Sequence, residues 1–217
     1  MSFRAQLTAL LALSTVVAAS SAQAAGGDSQ SLNVTSTLKP LHITGRVLRA
    51  GELPGFAPKE CPPTVTTVGA WNKVAPSGGI DVESRLRRAG FVAAIREDLE
   101  WTGGSDRAAL SAVVRLGSAK AARAEIAQQV RDFADQPNRD NKVKTYTPFK
   151  VPGIPGARGF SSTRTGGAGH NIIFADGPFT YHTGVGWFAQ VKTPPTRAQL
   201  ITATARLYKR VRALPAR

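Results

Sequence analysis

Residues 170–187, His-Asn-Ile-Ile-Phe-Ala-Asp-Gly-Pro-Phe-Thr-Tyr-His-Thr-Gly-Val-Gly-Trp, constrain this chain more than any other stretch. Two runs rich in β-branched and aromatic residues flank Asp176-Gly177, a dipeptide that tolerates the positive φ angles of a tight hairpin turn. With Asp176 and Gly177 as the two loop residues, Phe174 faces Phe179 and Ile172 faces Tyr181. His170 and Val185 continue that face, which is the natural core side, while Asn171, Ile173, Thr180 and His182 take the other. In this register His170 and His182 point apart and cannot share a metal ion; a three-residue loop, Asp176 to Pro178, would bring them together.

The elements around this hairpin follow from periodicity and punctuation. Leu41 to Leu48 alternates as a first strand, with His42 on its less apolar face. From Arg49 to Gly79 the chain is rich in Gly and Pro and reads as one long loop, tucked down by Phe56, Val65, Val68 and Trp71. Asp81 is placed to cap a short helix that Gly90 stops, with Arg85, Arg87 and Arg88 outward. Phe91 to Leu99 and Ala108 to Leu116 form a second hairpin. Ser118 caps a helix over 119–134 with Ala119, Ala122, Ile126, Val130 and Phe133 inward. Residues 145–156, with three prolines, read as extended but irregular, 157–164 as a strand and 165–169 as a loop. Thr196 and Gln199 form a capping box that opens a last helix, whose buried stripe is Leu200, Ala203, Leu207, Val211 and Leu214. The fold class is therefore α+β: a mainly antiparallel sheet of five to six strands with two to three helices packed on it.

The first 24 residues carry one basic residue, an uncharged apolar run and Ala22-Gln23-Ala24, the order of a secretory signal peptide cleaved after Ala24. Residues 25–40 are small and polar and read as a flexible tether, leaving 41–217 as a single α+β domain. No later segment is apolar over the roughly 20 residues that a spanning helix needs. The expected location is thus secreted and extracellular. The formal charge is +14, and the first 24 residues remove only Arg4 from it. Such a charge concentrates polyanions around the molecule, so the expected partners are an anionic envelope polymer, an acidic membrane surface or a partner protein, without specific nucleic-acid recognition. Cys61 is the only cysteine, which excludes an intramolecular disulfide despite the oxidising compartment.

The element order, the strand start Gly90-Phe91-Val92-Ala93 and the hairpin from His170, in an Arg- and Ala-rich exported chain, resemble the small secreted proteins and lipoproteins of actinobacteria with a Mog1/PsbP-like fold. The resemblance spans residues 41 to 214 and lacks the lipobox cysteine of the lipoprotein members. It implies a binding or accessory role in the envelope more than catalysis, and it transfers no functional residue.

The chemistry of the side chains agrees with that implication. There is no Gly-x-Ser-x-Gly elbow, no His-Glu-x-x-His helix and no phosphate loop, and Gly166-Gly167-Ala168-Gly169 leads into a strand. No cofactor or metal site is expected. Glu97, Asp98, Glu100 and Asp106 gather near Trp101, with Arg96, Arg107 and Arg115 to balance them. The candidate anion-binding residues are Arg206, Lys209 and Arg210 on the last helix, with Lys142, Lys144, Lys150, Arg158 and Arg164 interleaved with Tyr146, Phe149 and Phe160. Two alternatives stand beside this binding module: an exported hydrolase with a cleft under the 49–79 loop, and a carrier of an apolar ligand between sheet and helices.

Overall fold

The computed structural model describes residues 43–60, 63–75, 80–139 and 142–214. Seven strands form one sheet: β1 (Phe56–Pro58), β2 (Ala93–Trp101), β3 (Arg107–Arg115), β4 (Val143–Phe149), β5 (Arg158–Arg164), β6 (Gly167–Asp176) and β7 (Phe179–Phe188). Their spatial order is β1-β2-β3-β7-β6-β5-β4, and every neighbouring pair is antiparallel. The α+β architecture matches the expectation, with more strands than the five to six expected.

The hairpin at 170–187 lies at the heart of this sheet, flanked by β3 and β5. Its turn sits one residue later than expected. Asp176 pairs with Phe179, leaving Gly177 (φ 56°) and Pro178 as the loop, so Phe174 opposes Tyr181, Ile172 opposes Thr183 and His170 opposes Val185. The pairing has slipped by two residues, and because faces alternate with period two, every side chain keeps its expected face.

One face of the sheet carries Ile95, Leu99, Val113, Ile172, Phe174 and Tyr181 beneath the last helix, α5 (Arg197–Arg212). Phe174 and Tyr181 stack at 4.5 Å, and the Thr183 and Thr204 hydroxyls meet at 2.7 Å where α5 crosses β7. The opposite face is covered by α1 (Val68–Val74), α2 (Ile80–Arg88) and α3 (Ala119–Ala134), with the short α4 (Gln136–Arg139) after them. Here Val68, Trp71, Leu86 and Ala122 bury Ala94, Leu110 and Val114, while Ile126 and Phe133 bury Phe160 and Ile173. The Ser118 cap of α3 and the Thr196/Gln199 capping box of α5 both form as expected, satisfying amide donors that the first helical turns leave open.

Several local expectations are corrected. Leu41 and His42 lie outside the described residues, and 44–46 is a single 3-10 turn, not a strand; Ile43, Arg46, Val47 and Leu48 are all buried, so no alternation of faces survives. The 49–79 stretch contributes β1 and α1, and holds Phe56, Val68 and Trp71 in the core. The α2 helix begins at Ile80, which puts Asp81 inside it. Arg85 turns inward to bind Glu125 at 2.8 Å and Asp132 at 3.0 Å on α3. Residues 143–149 form the outer strand despite Pro148, with one register shift between Val143 and Thr145, because the outer side of an edge strand needs no donor. Gly167 to Gly169 belong to β6, and only Thr165 and Gly166 (φ 87°) make the turn before it.

Two glycines give opposite expected outcomes. A Cβ at Gly184 would stand 2.5 Å from Asn171 Oδ1, within the buried interior, so Gly184→Ala should lower stability by about 1–3 kcal/mol. Gly69 lies within α1 with nothing within 4 Å, and Gly69→Ala should raise it by about 0.5–1 kcal/mol. Urea unfolding of the two variants checks both signs.

Candidate functional site

The basic residues expected to bind anions do not share one surface. The β4–β5 register sets Val143 against Arg164 and Phe149 against Gly159, so Lys142, Lys144 and Arg164 sit at one end of this strand pair and Lys150 and Arg158 at the other. The six residue steps of strand from Arg158 to Arg164 span about 20 Å. On α5 the division is one of burial. Arg210 is held by Glu52 through Nε (3.0 Å) and Nη2 (2.9 Å), and it donates to the carbonyls of Val47 (2.8 Å) and Gly45. That guanidinium fastens the 43–53 segment to the helix and is not offered to a ligand. Arg206 and Lys209 are exposed.

Lys209 lines an open groove of about 480 Å³ between the C-terminal half of α5 and the loop after β4. Gly153 forms one wall, and Ala205, Tyr208, Arg212 and Ala213 join Lys209 on the other. Helical spacing puts 205, 208–209 and 212–213 on one side of α5. The Tyr208 ring is braced edge-on by Phe174 at 5.7 Å, and the Arg212 guanidinium lies 5.6 Å from its centroid. Two exposed cations thus flank an aromatic ring at the negative end of a helix, a position that also favours cations for the helix itself. Arg212 and Tyr208 were absent from the residues chosen from the sequence, although Arg212 follows Lys209 by three residues and Tyr208 by four, the spacing of one helix face.

His170 and His182 lie on opposite faces of the sheet, and His42 lies outside the described residues. His182 Nε2 is 2.9 Å from Asn171 Oδ1, which accepts its proton, and the ring packs at 6.0 Å from Phe133. His170 Nδ1 is 2.9 Å from Ser161 Oγ, beside Trp187. This pair is the nearest approach to nucleophilic chemistry. It lacks the rest of the machinery: Arg197 Nε donates to the same Ser161 oxygen at 2.9 Å, and among the described residues no carboxylate orients the imidazole. Burial, aided by Arg197, pushes the His170 pKa down to about 4, too low for an effective base near neutrality. Burial and then Arg96 hold His182 at about 4 as well.

The acidic cluster is divided by the sheet. Asp98 pairs with Arg96 at 2.8 Å and Asp106 lies 3.5 Å from Arg107, as the sequence suggested. Arg115 instead lies 5.9 Å from the Phe179 ring. Glu97 is not balanced: it is 6% exposed, and burial, then Asp98, push its pKa up to about 7. A second depression, of about 240 Å³, does lie under the 49–79 segment, but Lys59, Glu60 and Val74 line it with β2 residues and neither histidine does. Both depressions are open at the surface, which lends the apolar carrier no support. Among the described residues no group of three His, Cys, Asp or Glu could hold a metal ion, and no helix is long and apolar enough to cross a membrane. Cys61 lies outside the described residues.

No family model and no curated protein matches the chain. Its fold is similar to that of the extracellular domain of PknH from Mycobacterium tuberculosis, with a TM-score of 0.50 and 13% identity over 77% of this chain and 95% of that one. An uncharacterised Mycobacterium smegmatis protein, the Rv0999 ortholog, aligns with a TM-score of 0.39 and 9% identity over 74% and 90% of the two chains. At 13% identity the likeness to the PknH domain is one of fold.

Two measurements test the electrostatics. Arg210→Ala should cost about 2–3 kcal/mol in chemical denaturation, because it strands Glu52 and two carbonyls, whereas Lys209→Ala should stay within about 0.5 kcal/mol. A histidine held neutral in the fold costs stability as pH falls from 6.5, where the unfolded chain takes up the proton, to about 4, where the native one does. His170→Gln should therefore lose less stability than the wild type between pH 7 and 4.5.

Proposed function

We propose that this chain is an exported, non-catalytic module of the bacterial envelope, of the Mog1/PsbP-like kind, that engages an anionic polymer through the groove on α5. The observation that carries this reading is the placement of Lys209 and Arg212 around Tyr208, exposed and beside a groove, on a chain with formal charge +14. Cations spaced along a helix meet successive charges of a polyanion, and an aromatic ring between them adds contact area that is insensitive to salt. Arg206, exposed one turn earlier, extends the positive track. The fold likeness to an extracellular domain, the signal-peptide pattern of residues 1–24 and the +14 charge all fit a protein working among anionic wall polymers and lipid head groups. The hydrolase alternative loses ground at Ser161–His170, where the base is weak and the hydroxyl is already a hydrogen-bond acceptor for Arg197.

Co-sedimentation of residues 25–217 with anionic wall polymer, and in parallel with acidic vesicles, over a salt series tests the proposal. Binding should weaken steeply with salt and drop several-fold in the Lys209→Ala/Arg212→Ala double variant. Stronger binding to vesicles than to polymer would move the partner to the membrane surface, and equal binding by the double variant would remove the groove from the account.

A further inference from the structure

The chain that leaves β4 runs beside one flank of α5. At the start of the helix the Arg197 guanidinium lies 5.4 Å from the ring of Phe149, the last residue of β4. Toward the end of the helix Gly153 faces Ala205, Tyr208 and Arg212 across the groove of about 480 Å³. Steps of four, four, three and four residues put Arg197, Ile201, Ala205, Tyr208 and Arg212 on that same flank, and all five are exposed or partly so. At about 1.5 Å per residue, Arg197 and Arg212 stand about 22 Å apart along the helix axis.

The first turn of this flank repeats the pattern of the groove. Arg197 gives Nε to Ser161 Oγ at 2.9 Å, and among the described residues its Nη groups have no protein partner. Beside it the partly exposed His170 ring stands edge-on to Phe149 at 6.2 Å and to Trp187 at 4.9 Å. Each end of the flank therefore offers a cation held near aromatic carbon. Acidic residues hardly compete for these cations: from Asn141 to Arg217 the sole carboxylate side chain is Asp176, at the start of the β6–β7 turn.

This pattern selects among polyanions. Phosphate chains meet the cations alone and leave the rings unused. Sugar rings bring C–H faces that pack on aromatic carbon, while their acid groups meet the guanidinium forks. Two weak subsites act as one strong site for any chain long enough to span them.

We propose that this flank of α5 is one continuous site for an acidic glycan chain, with Arg197 and Phe149 forming a second subsite beyond the groove at Tyr208, Lys209 and Arg212. The second subsite rests on the polymer-binding reading and gives that polymer a chemical class and a minimum length.

Calorimetric titration of residues 25–217 with galacturonic acid oligomers shorter and longer than about 22 Å, with polyphosphate and with acidic vesicles tests both points. The long oligomer should bind about tenfold or more tightly than the short one. Either Arg197→Ala or Lys209→Ala/Arg212→Ala should bring the long oligomer down to the affinity of the short one, because each leaves a single subsite. Arg197 is exposed, so its variant should melt like the wild type. Salt raised until polyphosphate no longer binds should leave the long oligomer bound through the rings, and Phe149→Leu should weaken that residual binding several-fold. Weaker binding in Lys209→Ala/Arg212→Ala but not in Arg197→Ala, with no effect of oligomer length, would overturn the second subsite and leave the groove standing. Polyphosphate or vesicles that outlast the long oligomer in salt would overturn the glycan class. Failure of both oligomers, polyphosphate and vesicles to bind at low salt would overturn the subsite together with the reading it rests on.

Discussion

A guanidinium lies at the centre of the hydrophobic interior. Arg46 is 1% exposed, its Nη1 is 2.8 Å from the Tyr181 hydroxyl, and its plane lies 4.0 Å from the Phe179 ring centroid. Its remaining donors point toward the carbonyls of Val211 and Leu214, where α5 ends and its dipole is negative. An arginine cannot shed its proton to escape a low dielectric, so the fold has to meet the charge with π faces and carbonyl dipoles. That demand ties together three pieces far apart in sequence: the segment entering the domain, the central strand β7 and the end of the last helix. Arg210 repeats the link from the helix side, through Glu52 and two carbonyls of the same segment. The angle at which α5 crosses the sheet, and hence the position of Tyr208 and Arg212, rests on these two arginines.

A formal charge of +14 consequently overstates what the surface can offer. Arg46, Arg85, Arg96 and Arg210 are each held by protein groups, two of them within the core layers and two between elements. Helical periodicity placed Arg206, Lys209 and Arg210 around the outside of α5, but it carries no information about the loop that arrives over one side. The 43–53 segment arrives there, and it selects Arg210. Burial of Glu97, by contrast, was legible: Ala93, Ile95 and Leu99 share its strand face, so alternation alone sets a carboxylate among apolar neighbours.

The same contrast runs through the fold. Capped helices and the hairpins were visible because each is specified by neighbours in sequence, as with Ser118 and with Thr196 and Gln199. The displaced turn at Gly177-Pro178 shows how an Asp-Gly pair can mislead: Asp176 still has an amide and carbonyl that extend the ladder to Phe179, while Pro178, lacking a donor, fits the loop. At 43–48 the alternating pattern had no predictive force, because Arg46, Val47 and Leu48 are consecutive and all buried. Long-range contacts decide such places, and they leave no period to detect.

The outermost strand has a further consequence. Strand β4 forms one border of the sheet, and it carries a register irregularity between Val143 and Thr145, an exposed lysine at Lys144 and a proline at Pro148. The opposite border is the three-residue β1. Each feature denies a foreign strand the straight, unpaired row of amides and carbonyls it would need to add on. A sheet of seven antiparallel strands with such interrupted margins thus stays finite, and neighbouring molecules are kept from joining edge to edge into fibrils.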